Sequence, residues 1–487
     1  MTLSDLCEGI CAVPPHAQAW AVEGLTADSH AVKPGFLFAA LKGSRTDGSR
    51  FVPDAIAAGA TAILGDTFPE FGPGDNVVYL VDEEPRRALA LMAARFHAPQ
   101  PDTMVAVTGT AGKTSVANFV RQIFAATGHR AASVGTVGVS IDDETRYGNL
   151  TTPDPVTLHR ILAELAAEGV THAAMEASSH GLDQHRLDGV RLVAAGFTNL
   201  GRDHLDYHPT MADYLAAKLR LFTTVLPEGR VAVVNADCPE APEVVAAARV
   251  RKQDVLTVGR AGEALAITDI VAEDGRQIIA LDGRYGVHRI ALPLAGDFQV
   301  SNALVATGLA IGAGVPAADA LAALETLKGA PGRLEYVAST PKGGRVYVDY
   351  AHKPDALAAV LAALRPVTAD RLIVVFGAGG DRDPGKRPIM GEIAATGADV
   401  VIVTDDNPRS EDPATIRAAI MAAAPGATEI GDRGAAIAEA VAMAGAGDIV
   451  VVAGKGHEPG QIVGAEVLPF SDHDAVRAAC GAGEAAS

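Results

Sequence analysis

The stretch best suited to chemistry is Val105-Ala106-Val107-Thr108-Gly109-Thr110-Ala111-Gly112-Lys113-Thr114-Ser115, a β-branched run that ends in a glycine turn. Glycines let backbone N–H groups approach phosphate oxygens, a helix N-terminus favours their negative charge, and Lys113 offers a point cation. Thr114 is placed to ligate the Mg²⁺ that accompanies ATP, so Gly109 to Ser115 is expected to cradle a triphosphate. Val116, Phe119, Val120, Ile123 and Phe124 then fall at i, i+3, i+4, i+7 and i+8, which predicts a helix with one buried face. The loop departs from the general phosphate-loop pattern. Val107 stands five residues before Gly112, where a glycine is usual, and the glycine sits at Gly109 in a shortened GxxGKTS.

Other residues have weaker individual signals. Glu176 closes a strand-like run, where a carboxylate can reach Mg²⁺ or orient a phosphate-bound water. His204 follows another such run, and Lys218 taken alone reads as an exposed helical lysine. Three polar or glycine-rich tails, GAGGDRD, DDNPR and GKGHE, each follow an apolar run late in the chain. Ligands of open α/β sheets bind at the carboxyl ends of strands, so these tails are expected to converge on one site. The first of them has Arg382 where a dinucleotide fingerprint needs its third glycine, which argues against NAD.

These residues need elements to position them. At 487 residues the chain exceeds a single core, and about 150 residues per domain suggests three. Residues 1–99 hold short strands and turns, including Gly35 to Gly43 and a helix-like Val52 to Ala60, and Pro99 to Asp102 reads as a linker. Residues 100–334 alternate strands (Thr171 to Glu176, Ala194 to Asn199, Arg230 to Asn235) with helices, implying a mainly parallel sheet. Ala303 to Ala318 reads as a buried helix, too short and interrupted to span a bilayer. Residues 335–487 carry near-continuous apolar strands at Arg371 to Phe376, Ala398 to Thr404 and Asp448 to Ala453, with a helix capped by Asp412 and opened by Pro413. The expected fold is therefore three α/β domains: a small N-terminal one, a central phosphate-loop ATPase domain, and a Rossmann-like C-terminal one. The net charge of −19 argues against a nucleic-acid partner. Four cysteines without ligand spacing, and a start lacking signal-peptide character, make a cytoplasmic, membrane-free enzyme the expectation. A monomer is expected as well.

From Thr26 to Ser471 the shortened loop, MEASSHGLDQHR, TNLGRDHLDYH, AAKLRLF, PGRLE, VDYAHKPD, GGDRDPGKR, DDNPR and GKGHE occur in the order found in Mur ligases. The chain resembles that family, and within it the kind that adds diaminopimelate as the third peptide residue. The resemblance implies that ATP phosphorylates the D-glutamyl carboxylate of UDP-MurNAc-L-Ala-D-Glu. The amine of meso-diaminopimelate then attacks the acyl phosphate. It implies that Thr114 and Glu176 bind one Mg²⁺, and that Glu176, His204 and Lys218, the last as a carbamate, serve a second. Asn302, Arg333 and Asp349 are implied at the adenine and ribose. Ser29, Ser44, Arg45 and Thr46, with Thr151, Thr152, Ser178, Gln184 and Arg186, are implied at the nucleotide sugar and peptide. Two positions depart from the family pattern: His30 stands where arginine is common, and Ala111 where asparagine is common.

DDNPR is expected to choose the amine. Diaminopimelate ends in an ammonium and a carboxylate, whereas lysine ends in an ammonium alone. Arg409, assisted by Arg382, suits that carboxylate, while Asp406, Glu458 and the carbonyl of Gly454 suit ammonium groups; Asn407 and Pro408 complete the segment. A lysine-adding or folylpolyglutamate-type ligase would keep the ATP site but lack DNPR. A non-catalytic nucleotide-binding regulator would not need Glu176, His204 and Lys218 together.

Overall fold

The computed structural model describes residues 1–43, 46–67, 76–142, 144–146, 148, 150–273 and 276–481. Cα packing divides the chain into two compact units. One comprises Met1–Lys113, Val120–Thr257 and Val305–Pro316, and the other Thr114–Phe119, Val258–Leu304 and Ala317–Ser487.

The first unit opens with four short parallel strands, β1 (Gly24–Thr26), β2 (Phe36–Ala39), β3 (Ala62–Gly65) and β4 (Val78–Val81), in sequential order. Their faces are buried by Leu3, Leu6, Leu37, Leu64, Leu89 and Met92 on one side and by Phe38, Val52 and Ile63 on the other. The helix expected from Val52 stops at Ala57. Gly59 at φ +98 turns the chain back toward β3.

A second sheet follows: β5 (Thr103–Thr108), β6 (Ala131–Gly135), β7 (Gly138–Ile141), β8 (Glu144–Arg146), β9 (His172–Glu176), β10 (Leu192–Phe197), β11 (Val231–Asn235) and β12 (Asp254–Gly259). β5 lies between β9 and β10, with all three parallel. Val107 pairs with Glu176 and Thr108 with Phe197, so the carboxyl ends of the three strands come out level. The sheet is clad by an apolar layer that includes Met104, Leu162, Met175, Phe197, Phe222 and Val234.

In the second unit β13 (Leu265–Glu273), β14 (Arg276–Asp282) and β15 (His288–Leu292) pair antiparallel. Strands β16 (Glu335–Ser339), β17 (Arg345–Asp349), β18 (Leu372–Phe376), β19 (Val400–Val403), β20 (Thr428–Glu429) and β21 (Ile449–Ala453) form a sheet in the order β16-β17-β21-β18-β19-β20. All pairings in it are parallel except β16 with β17. A hairpin of β22 (Gly460–Val463) and β23 (Glu466–Pro469) precedes the last helix, Asp472–Ala479. The expected buried helix at Ala303 to Ala318 is present as far as Gly312, and its end is corrected. One helix runs Asp297–Gly312, Gly314 at φ +100 and Pro316 interrupt it, and a second begins at Ala317. Among the described residues no helix is long and apolar enough to cross a membrane.

Candidate active site

The phosphate loop forms where β5 meets the helix Lys113–Ala126, with Gly112 at φ +86 in the N-cap position. Gly109 has φ +149, and a Cβ there would lie 1.9 Å from Thr198 Oγ1, so only glycine fits. The end of β10 braces the loop. Thr198 Oγ1 donates to the Ala111 carbonyl at 2.6 Å, and the Ala111 N–H donates to Asn199 Oδ1 at 3.0 Å. The Gly201 N–H donates to Thr110 Oγ1 at 2.9 Å. Lys113 Nζ donates to the carbonyls of Gly109 and Thr110 at 2.9 and 3.0 Å, which holds its charge over the turn. Thr114 and Ser115 occupy the first helical turn.

Level strand ends bring other predicted residues to this loop. Glu176 is 2% exposed. Its Oε1 accepts the Thr136 N–H at 2.7 Å, and its Oε2 accepts the Thr136 hydroxyl at 3.2 Å. Lys218 is not the exposed helical lysine that its local sequence suggests, being 1% exposed. Its Nζ donates to the Gly109 carbonyl at 2.8 Å and lies 4.2 Å from the centre of the Tyr214 ring. Burial, reinforced by the Lys113 cation, lowers the Lys218 pKa to about 6. His204 is exposed in a left-handed turn at φ +53, with its ring 4.8 Å from that of His180. Among the described residues no group of three His, Cys, Asp or Glu side chains could hold a metal by itself.

A cavity of about 500 Å³ lies in the same unit, lined by Thr26, Asp28, Leu41, Arg86, Gln184 and Arg186 among others. Gln184 and Arg186 stand in its wall as a pair, with Arg186 Nη2 donating to Gln184 Oε1 at 2.8 Å and Nη1 to the Thr152 carbonyl at 2.6 Å. Burial lowers the pKa of Arg186 below that of an ordinary guanidinium. Ser29 flanks the cavity in a short 3₁₀ turn capped by Asp28, and His30 there is exposed. Thr46 is exposed, whereas Ser44 and Arg45 lie outside the described residues. Thr152 is buried beside the end of β9. Its hydroxyl donates to the Glu176 carbonyl at 2.9 Å and accepts the Ser178 N–H at 3.0 Å, bracing the strand end. Ser178 Oγ caps the helix Ser179–Asp183, and Thr151 Oγ1 meets Thr136 Oγ1 at 2.9 Å.

In the second unit the nucleotide candidates form one chain of contacts. Asn302 Nδ2 donates to Gln299 Oε1 at 3.1 Å, and Gln299 Nε2 donates to the Arg333 carbonyl at 3.2 Å. The Arg333 guanidinium lies 4.7 Å over the Tyr350 ring. Asp349 ends β17 and accepts the N–H groups of Leu334 and Ala351 at 2.5 and 2.7 Å. Burial raises its pKa to about 6, against the pull of Arg333.

The three late tails do converge. The Gly380 N–H donates to the Asn407 carbonyl at 2.9 Å, and Arg409 Nη1 donates to the Gly380 carbonyl at 2.9 Å. Asn407 Nδ2 donates to Glu458 Oε2 at 2.9 Å. Asp406 is buried, its Oδ1 has no hydrogen-bond partner among the described residues, and a Cβ on Gly454 would lie 3.0 Å from its Oδ2. Pro408 is buried behind this segment and Arg409 turns at φ +52, while Arg382 stands exposed at the rim. Below them Arg433 and Asp472, both fully buried, pair at 2.7 and 2.8 Å. Arg433 Nη2 also donates to the Ala453 carbonyl at 3.0 Å, directly before Gly454.

Comparison with known proteins decides the family. Residues 21–97 match the description Mur ligase family, catalytic domain; residues 107–310 match Mur ligase middle domain; residues 332–456 match Mur ligase, glutamate ligase domain. The chain belongs to the Mur ligase family. Its architecture is the three-domain α/β arrangement of Mur ligases. Among its relatives is a UDP-N-acetylmuramoyl-L-alanyl-D-glutamate–2,6-diaminopimelate ligase of Agrobacterium fabrum, 60% identical over 94% of this chain and 93% of that protein. The ligase of the same name from Mesorhizobium japonicum is 59% identical over 98% and 99%. A solved structure of a ligase of that name has a TM-score of 0.75 at 34% identity and covers 99% of both chains. A folylpolyglutamate synthase of Mycobacterium tuberculosis shares the fold with a TM-score of 0.62 at 22% identity, covering 81% of this chain and 95% of that one.

Several residues of this Mur ligase escaped the sequence reading. Tyr214, four residues before Lys218, packs under its Nζ and sets its hydroxyl 3.2 Å from Thr110 Oγ1. The i, i+4 spacing was the available signal. Arg86 in the cavity wall and Arg433 have no such signal, and Lys455 is marked only as part of GKGHE.

Proposed function

We propose that this chain is an ATP-dependent acid–amino-acid ligase joining meso-diaminopimelate to the D-glutamyl carboxylate of UDP-MurNAc-L-Ala-D-Glu, a step of peptidoglycan precursor synthesis. The observation that carries this reading is the convergence of GAGGDRD, DDNPR and GKGHE. There Arg409 donates to the Gly380 carbonyl, Asn407 donates to the Glu458 carboxylate, and among the described residues Asp406 Oδ1 has no partner, so the three tails together offer the charges that an amino-acid end bearing an ammonium and a carboxylate needs. The names carried by relatives about 60% identical over nearly the whole chain support the same substrates. Lysine would leave Arg409 without its carboxylate, a penalty of about 1–3 kcal/mol in a closed site.

Lys113 and the N–H groups of Gly109 to Ser115 hold the phosphates of ATP and take up charge as the γ-phosphoryl group passes to the substrate carboxylate. The acyl phosphate so formed is attacked by the amine of diaminopimelate. The new N–C bond forms as phosphate leaves and the nitrogen gives up a proton. The Thr114 hydroxyl and Glu176 carboxylate are hard oxygen donors of the kind Mg²⁺ takes together with phosphate oxygens and water. Bound there, Mg²⁺ neutralises phosphate charge. Lys218 joins such a set only as a carbamate, because an ammonium is no ligand. Burial that keeps its amine uncharged at neutral pH supplies the form that adds CO₂ and sheds a proton. His204 at the exposed turn completes the set. Asn302, Arg333 and Asp349 take the nucleoside, and the cavity walled by Gln184 and Arg186 takes the nucleotide sugar, served also by Ser29, Ser44, Arg45, Thr46, Thr151, Thr152 and Ser178. The acting unit is a monomer of the cytoplasm.

The test is phosphate release by purified protein with ATP and UDP-MurNAc-L-Ala-D-Glu, comparing meso-diaminopimelate with L-lysine. Diaminopimelate is expected to be preferred at least tenfold, and Arg409→Ala to erase the preference. Equal rates with the wild-type protein would refute the use of Arg409.

A further inference from the structure

Lys455 follows β21, is 0% exposed, and has no part in the reaction described above. Its Nζ lies 3.1 Å from Asn407 Oδ1 and 3.1 Å from Glu458 Oε2. The Asn407 amide is committed at both ends. Oδ1 also accepts the Ile462 N–H at 2.9 Å, and Nδ2 donates to Glu458 Oε2 at 2.9 Å. Glu458 Oε2 therefore has two donors, while among the described residues Oε1 has the Tyr350 hydroxyl alone, at 3.4 Å.

A buried ion pair is poor value as a source of stability, because desolvating both charges offsets their attraction. It is effective at fixing geometry. Glu458 is 32% exposed, and a glutamate on a loop would otherwise sample several rotamers. Here a buried ammonium and a locked amide hold one oxygen and leave the other with acceptor capacity. The hairpin strand β22 closes the arrangement, with Gln461 Nε2 donating to the Asp406 carbonyl at 2.5 Å and the Arg409 N–H donating to the Ile462 carbonyl at 3.0 Å.

We propose that Lys455 is a positioning residue for amino-acid recognition: acting with Asn407, it fixes the Glu458 carboxylate that receives an ammonium group of the incoming diaminopimelate. This rests on the ligase reading above. It also recasts Asn407, expected from the sequence to touch the substrate, as a joint between DNPR, GKGHE and β22.

The experiment uses the full chain with Lys455→Met, Lys455→Gln, Glu458→Gln and the Lys455→Met/Glu458→Gln double variant. Each of the three substrates is varied in turn in the phosphate-release assay. Lys455→Met is expected to raise KM for diaminopimelate about 10- to 100-fold, the range for an orphaned charged partner, and to leave KM for ATP and for the nucleotide sugar within about twofold. Lys455→Gln, which keeps an amide donor for Glu458, should recover part of the loss. In the double variant, Lys455→Met should add nothing to Glu458→Gln, because Lys455 acts through that carboxylate. Effects that multiply independently, an unchanged KM for diaminopimelate, or equal losses for all three substrates in both Lys455 variants would overturn the proposal. Wild-type protein lacking any diaminopimelate-dependent phosphate release would instead overturn the ligase reading on which it rests.

Discussion

Replacing Gly135 by alanine tests whether the position of the Glu176 carboxylate limits the rate. Gly135 ends β6 with no left-handed backbone angle, so alanine meets no conformational penalty there. The added Cβ, however, would lie 2.1 Å from Glu176 Oε1 and 2.6 Å from its Cδ and Cγ. Ordinary contact begins near 3.4 Å, so the carboxylate must retreat by about 1 Å or more. Glu176 is 2% exposed and its Oε1 accepts the Thr136 N–H at 2.7 Å, so the retreat breaks that bond. A displacement of about 1 Å at a reacting centre costs on the order of 10²-fold in rate. Losing a hydrogen bond to a charged acceptor costs about 1.5–3 kcal/mol of stability. The expected outcome is a kcat lowered about 100-fold, with KM for diaminopimelate unchanged and a modest fall in the thermal midpoint, read by phosphate release and by thermal melting. Combined with Glu176→Gln, the substitution should add little. A Gly135→Ala protein within twofold of wild-type kcat would refute the reasoning.

Lys218→Ala should abolish turnover and regain part of it when short carboxylic acids such as formate or acetate are added, because they replace the carbamate oxygens; unchanged activity would remove Lys218 from the site. Tyr214→Phe deletes the hydroxyl 3.2 Å from Thr110 Oγ1 but keeps the ring under Lys218, so KM for ATP should rise about 2- to 10-fold with kcat nearly unchanged. Asp448 is held at a pKa of about 2, chiefly by the Arg371 guanidinium and then by the Gly445 and Arg371 N–H groups, below the unfolded value of about 3.9. Its contribution to stability is thus complete above about pH 4 and is lost as pH falls toward 2, so Asp448→Asn should flatten the acid limb of the thermal midpoint across that window.

The strands were legible because buried parallel strands are continuous apolar runs, and the sheet registers then bring their polar tails level. Boundaries moved by a residue or two, as at His172 for an expected Thr171 and Val400 for an expected Ala398. The glycines and Pro316 that interrupt the apolar run of Ala303 to Ala318 end one helix at Gly312 and open another at Ala317, because Gly314 at φ +100 cannot continue the first. The phosphate loop was legible because its geometry forces residue types at short spacing. Lys218 was not, because burial of a lysine depends on what β5 and its loop place above the helix, and nothing local records that. Lys455 between two glycines looks like a turn residue, and the partner of Arg433 lies far along the chain. Thr152 and Asn407 show a related limit: sequence pattern names a site segment without telling which neighbours, backbone or side chain, its polar groups already bond.

The Arg433–Asp472 pair has a consequence for the order of assembly. The guanidinium that ties down the Ala453 carbonyl leaves the ribosome before its counter-ion, which belongs to the later helix Asp472–Ala479. Until that helix docks, a lone charge resists being sealed under β21. A nascent chain that already holds its phosphate loop therefore still lacks this brace before Gly454 until Asp472 has been made.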